Sequence, residues 1–354
     1  MMLRQLLSED LPRNRWLAAA LIAIVLALAL TPFIAPGAKA LNVAAKMLVF
    51  ILLVASYDLL LGYTGIVSFA HTMFFGLGAY GVAVACTRLG PTWTAVALGI
   101  AVALVLSIAL ALVIGLFSLR VRAIFFAMIT LAVASAFQTL ASQLSEITGG
   151  EDGLSFRVPP VLSPAYRLVE EPVLGASLDG RFLTYYLLFF VVAALFLILL
   201  RIVNSPFGRV LQAIRENDFR AEAIGYRIVW YRTASNVIAA AFATIAGALL
   251  ALWLRYNGPD TTLSFEIMLD VLLIVVIGGM GTLYGAIIGS TLFVLAQSYL
   301  QDLMALISAA AAALPVIPVM FTPDRWLLWL GVLFVLSVYH FPSGIVGRLR
   351  ALRV

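Results

Sequence analysis

The sequence predicts an all-α polytopic membrane protein with about ten transmembrane or re-entrant helical segments. These fall in two pseudo-symmetric halves with broken, glycine-rich helices, and residues 1–354 read as a single transmembrane domain. Three observations carry this. Of the 354 residues, 64% are hydrophobic and only 11% charged, against about 25% charged in a soluble domain. Uncharged runs recur near the roughly 20 residues that cross a bilayer. Two glycine clusters sit in corresponding places of the two halves, each between apolar runs.

The elements follow in order. Arg13 and Arg15 precede an uncharged run from Trp16 to Ala38, with small residues after it. That pattern mimics a cleaved signal peptide, but its spanning length and the spans that follow predict an uncleaved first helix near 16–35. Further helices are predicted near 41–61, 66–86, 92–118, 123–147, 182–200, 231–254, 264–278, 284–303 and 326–342. Residues 303–323 are also uncharged and hold an alanine run, Ala309 to Ala313, then Pro315 and Pro318. A full span there would carry the C-terminal arginines outside, so this segment is expected to lie outside or dip into the membrane.

With a cytoplasmic N-terminus, most cations fall inside, including Arg120, Arg122, Arg348, Arg350, Arg353 and six arginines within 201–232. The positive-inside bias therefore predicts two cytoplasmic termini, an external loop over 148–181 and a cytoplasmic loop over 204–230. The net charge of +5 reflects the same bias and does not point to nucleic acid. The one cysteine, Cys86, excludes an intrachain disulfide and a multi-cysteine metal site, and reads as a small buried apolar residue.

The first interruption is Gly62-Tyr63-Thr64-Gly65, followed by Ser68, His71, Gly76 and Gly78. The second is Gly278-Gly279-Met280-Gly281-Thr282, followed by Gly285 and Gly289. Paired interruptions point to an internal repeat with a pathway between the halves. Non-helical backbone at membrane depth is tolerated only inside protein or beside a watery cavity. The other reading is close helix packing through small residues, favoured for Gly76 and Gly78, as for Gly247 near Ala243 and Ala251.

Ionisable groups inside the predicted spans are Asp58, His71, Glu146, Glu266 and Asp270. A central carboxylate costs about 2.5–3.5 kcal/mol on insertion scales, so each should face the bundle interior. Asp58 comes one turn before the first cluster and Asp270 about two turns before the second. Either they hold the broken backbone and line a polar path, or they are structural carboxyls at helix ends. For His71 a hydrogen-bonded structural role is the simpler reading. The candidate path comprises Asp58, Tyr63, Thr64, Gly65, Ser68, His71, Asp270, Gly278, Gly279, Gly281 and Thr282.

No catalytic constellation appears, and no cofactor is expected. His71 and His340 lie in separate spans, which leaves no multi-histidine metal site. A P-loop needs Gly-Lys-Ser/Thr, because the lysine reaches the phosphates and the hydroxyl binds magnesium. Lys39 is followed by Ala40 and Lys46 by Met47, so ATP-driven transport would need a separate ATPase subunit. The segment 201–232 suits such a partner. Phe207, Val210, Leu211 and Ile214 recur at helical spacing, Asn217 or Asp218 can cap a short helix over 219–224, and Gly225 can end it. The candidate coupling residues are Phe207, Arg215, Glu216, Asn217, Arg220, Glu222, Ala223 and Gly225.

Residues Glu222-Ala223-Ile224-Gly225 resemble the EAA loop of ABC importer permeases, departing from it at Ile224. LGYTGIVSFAHTMFFGLGAY (61–80), LRVRAIFFAMITLA (119–132), TGGEDGL (148–154), IRENDFRAEAIGY (214–226) and GGMGTLYGAIIG (278–289) are similar to LivM-type permeases of branched-chain amino acid ABC importers. The resemblance implies a second, LivH-type permease, two cytoplasmic ATP-binding subunits and an external substrate-binding protein, in the bacterial inner membrane. The related urea permeases share most of these motifs, so a urea or short-chain amide ABC permease is the alternative within the class. An ion-coupled secondary transporter using Asp58, Glu146 and Asp270, and a non-transporting scaffold, are the alternatives of other classes.

Overall fold

A computed structural model describes residues 15–118, 123–168, 178–310, 320–341 and 344–351. Arg120, Arg122, Arg353, the middle of the predicted 148–181 loop and the Pro315–Pro318 stretch lie outside them. The helices are α1 (Arg15–Ile34), α2 (Ala38–Asp58), α3 (His71–Leu89), α4 (Trp93–Ser118), α5 (Ala123–Gln143) and α6 (Gly180–Val203). They continue with α7 (Pro206–Glu216), α8 (Asp218–Ala223), α9 (Ile228–Leu254), α10 (Phe265–Gly278), α11 (Leu283–Ala310), α12 (Trp326–His340) and α13 (Gly344–Ala351). Among the described residues, ten segments are long and apolar enough to cross a membrane, so this is an all-α polytopic membrane protein.

Helix α2 is buried almost along its whole length and forms the axis of the bundle. Around it, α3 and α9 cross so closely that a Cβ at Gly78 would overlap the Thr244 carbonyl, and one at Gly247 the Phe75 carbonyl. Lipid gives helices no hydrophobic reason to associate, so small residues that let backbones touch carry such a contact. The packing reading of Gly78 and Gly247 is thus the observed one, and Gly76 likewise faces Leu263.

Helix α1 contains Pro32, whose missing N–H frees the carbonyl four residues back, at Leu28. Tyr185 of α6 donates its hydroxyl to Leu28 O at 2.5 Å, and Tyr186 donates to Ala29 O at 2.7 Å. The freed carbonyl is thereby satisfied within the protein, as a bilayer requires.

Two faces follow from the connections. One carries the turn after α2, the turn between α10 and α11, the α7–α8 pair and α13. There Val346 is fully buried and Gly344 abuts Gly279. The opposite face carries a two-residue antiparallel pairing of Leu154–Ser155 with Tyr256–Asn257, and the Lys39–Asp302 ion pair at 2.5 Å.

Two predicted boundaries move. Helix α5 ends at Gln143, and Glu146 sits in a separate exposed turn, Ser145–Thr148, instead of a span. Residues 303–310 continue α11 without a break, since alanine favours helix and the first proline comes only at Pro315. Lys46 lies inside α2, within the helix predicted near 41–61.

Candidate functional site

The two glycine interruptions meet. Helix α2 widens into a π-turn over Leu59–Thr64 and ends at Gly65, whose φ of 74° is left-handed. Such π segments occur frequently at functional sites. On the other side, α10 ends at Gly278, and Gly279 and Gly281 have φ of 113° and 79°. Asp58 links the two: its Oδ1 accepts the Gly281 N–H at 2.9 Å. A Cβ at Gly62 would overlap both that carboxyl and the Gly281 nitrogen. Glycine is required there by close approach, and at Gly279 and Gly281 by backbone conformation. Both breaks lie at the ends of candidate spans, Ala38–Thr64 and Pro259–Gly278, on the α7–α8 face.

The other predicted path residues separate into distinct roles. Thr64, fully buried, donates to Leu59 O and shares a 2.8 Å hydrogen bond with Ser235 of α9. His71 bonds Ser56 Oγ through Nε2 at 2.9 Å and packs against the Tyr57 ring. Ser68 accepts from Ala70 N at 3.4 Å, just ahead of α3. Tyr63 is buried, and Thr282 donates to Gly279 O at 2.7 Å, closing the second turn.

Asp270 belongs elsewhere. It stands beside Lys46 of α2 and Gln297 of α11, and Lys46 Nζ donates to Gln297 Oε1 at 2.7 Å. An intramembrane lysine meets the rule that such charges pair inside the bundle. Asp270, Glu266 and Gln297 also line a cavity of about 730 Å³ between α10, α11 and α12, walled by Leu273, Phe293 and Leu330. Asp58, Glu146 and Asp270 therefore do not converge on one ion site: each lies in a different environment.

The α7–α8 pair takes the form its sequence suggests. Leu211 and Ile214 of α7 are buried against the bundle, and Phe207 stacks on Tyr231 of α9 with centroids 5.8 Å apart. Asn217 caps α8 by accepting the Arg220 N–H at 2.9 Å, and Gly225 ends it at φ 99°. Glu216, Arg220, Glu222, Ala223 and Gly225 are exposed. Phe219 and Ile224 are 81% and 69% exposed. Arg215 is exposed as well, and its guanidinium Nη1 also donates to Gly62 O at the first break. Sequence reasoning also missed Ser235, Gln297 and the pairing of Lys46. The signal for the last was present, since Lys46 is one of only two lysines and lies in an apolar run.

A helical bundle with two glycine-broken hairpins meeting beside an exposed helical pair has the plan of a membrane permease. Residues 39–338 match the family described as branched-chain amino acid transport system / permease component, and the chain belongs to that family. It is 28% identical over 275 residues to the high-affinity branched-chain amino acid transport system permease protein LivM of Salmonella typhimurium, and equally to that of Escherichia coli. Each alignment covers 74% of this chain and 63% of the relative, so under two thirds of those proteins is matched. The probable branched-chain amino acid transport permease protein LivM of Methanocaldococcus jannaschii is 28% identical over 221 residues, 61% of this chain and 58% of that protein. No solved structure matches the chain.

Proposed function

We propose that this chain is the permease subunit of an ATP-driven importer for branched-chain, hydrophobic amino acids in the bacterial inner membrane. Its termini and the α7–α8 pair face the cytoplasm, and the connection between α5 and α6 faces an external binding protein. It forms the translocation path with a second permease of the LivH type, while two cytoplasmic ATP-binding subunits supply hydrolysis.

One observation carries this reading: α8, capped by Asn217, and the residue that follows it present Phe219 and Ile224 to solvent on the same face as both glycine breaks. Large apolar side chains exposed on the watery side of a protein mark a partner surface. Family membership supplies the class of solute. Asp58, Tyr63, Thr64, Gly65, Gly278, Gly279, Gly281 and Thr282 form the moving junction at the inner end of the path. Asp270 and the cavity between α10, α11 and α12 form its polar-to-apolar lining. ATP-driven closure of the ATPase pair displaces α7–α8 and switches the path, through contacts that differ between the two states.

The test replaces Glu222 and Gly225 by tryptophan, in the complex with its partner subunits. Recovery of the ATP-binding subunits and leucine uptake are both expected to fall. Wild-type uptake in the double variant would remove the coupling role of α8.

A further inference from the structure

Arg215 is a candidate coupling residue that also touches the membrane junction, and its contacts reach further than a docking role needs. It occupies the last turn of α7, whose buried Leu211 and Ile214 fix that helix against the bundle. Its stem passes over Gly65, where an added Cβ would lie 3.1 Å from Arg215 Cγ. Its Nη1 donates to Gly62 O. A Cβ at Gly281 would lie 2.9 Å from that same Nη1 and 3.0 Å from Gly62 O. Gly281 N in turn donates to Asp58 Oδ1. Four segments thus meet at one point: α7, α2, the turn after α2 and the turn between α10 and α11.

We propose that Arg215 is a positioning residue that ties the docking helix to both glycine breaks at once, so that a displacement of α7 is felt at the two turns together. The claim deepens the functional reading above and rests on it for its transport consequence.

The chemistry suits the role. The chain leaves helical geometry after Thr64, and Ile66 N returns to Leu60 O, so Gly62 O takes a side-chain donor. A cation is favoured at the carbonyl end of a helix, and the planar guanidinium adds directed donors. The Asp58 carboxyl on the far side of the Gly62 and Gly281 backbones gives the charge a counterpart. Arg215 is otherwise exposed, so a partner seated on α7–α8 can move it directly.

Hydrogen exchange on the full chain in nanodiscs reads the tie without any partner. Arg215→Met keeps the stem and removes the donors. It is expected to speed exchange about tenfold in peptides covering 60–66 and 278–284 alike, the loss of one hydrogen bond to a charged group. Arg215→Lys restores much of the protection, and Arg220→Met, on the exposed α8, leaves both peptides unchanged. Unchanged exchange in the Met variant, or a response confined to 60–66, overturns the proposal. In the assembled transporter, Arg215→Met should lower solute moved per ATP hydrolysed about tenfold, with partial rescue by lysine. A wild-type ratio in the Met variant also overturns it. If the wild-type complex shows no ATP-dependent uptake, the transport reading fails, while the exchange result still decides the tie.

Discussion

Gly62→Ala adds one methyl group at the point where the two halves touch. Gly62 is not in a left-handed conformation, so alanine brings no intrinsic backbone strain. Its Cβ would instead overlap the Asp58 carboxyl and the Gly281 nitrogen, so those groups must separate. The 2.9 Å Asp58–Gly281 hydrogen bond is lost, at about 1 kcal/mol or more. Overpacking costs about 1–3 kcal/mol besides. The atoms in the way include backbone, which yields less than a flexible side-chain end. Even about 2 kcal/mol placed on one arrangement of the junction shifts a two-state balance roughly thirtyfold. ATP-dependent leucine uptake by the reconstituted complex should fall by that order, while the chain still inserts and assembles. Gly37→Ala serves as control, since nothing lies within 4 Å of its added Cβ. Uptake by Gly62→Ala equal to that of the control refutes the claim that the breaks work through mutual contact.

Gly78→Val would drive a branched side chain into the Thr244 backbone and should abolish assembly of α3 on α9, read as loss of a monodisperse peak in detergent. Tyr185→Phe leaves Leu28 O without its donor beside Pro32 and should lower stability by about 0.6–2 kcal/mol, measured by thermal unfolding. Lys46→Met leaves Gln297 and Asp270 without their cation, and adding Asp270→Asn should recover part of the lost stability; no recovery in the double variant argues against the pairing. Asn217→Ala removes the cap of α8 for about 1 kcal/mol and should weaken recovery of the ATP-binding subunits without changing insertion.

Much of the architecture was legible in the sequence because a bilayer imposes length and polarity on every span. The runs that became α2, α4 and α9 are bounded by charge, glycine or proline, and so could be placed from composition alone. The α8 helix was legible for another reason: Asn217 and Gly225 announce a start and a stop within a polar segment. What escaped were relations between distant segments. Asp58 could be named as unusual, but not that it meets Gly281, 223 residues away. Arg215 lies in a run of arginines that charge statistics treat alike, and only the close approach at Gly65 and Gly281 separates it from Arg220. Lys46 falls within the predicted helix near 41–61, but its partner Gln297 lies 251 residues away. Glu146 fell outside its predicted span, because the helix predicted to 147 ends at Gln143.

The central claim is that this chain moves an apolar amino acid with energy from ATP hydrolysed by partner subunits. Leucine uptake into proteoliposomes holding the full complex, with and without internal ATP and with ion gradients collapsed, tests it most directly. The account predicts uptake that requires ATP and is indifferent to the gradients. Uptake that persists without ATP and disappears with the gradients would contradict it.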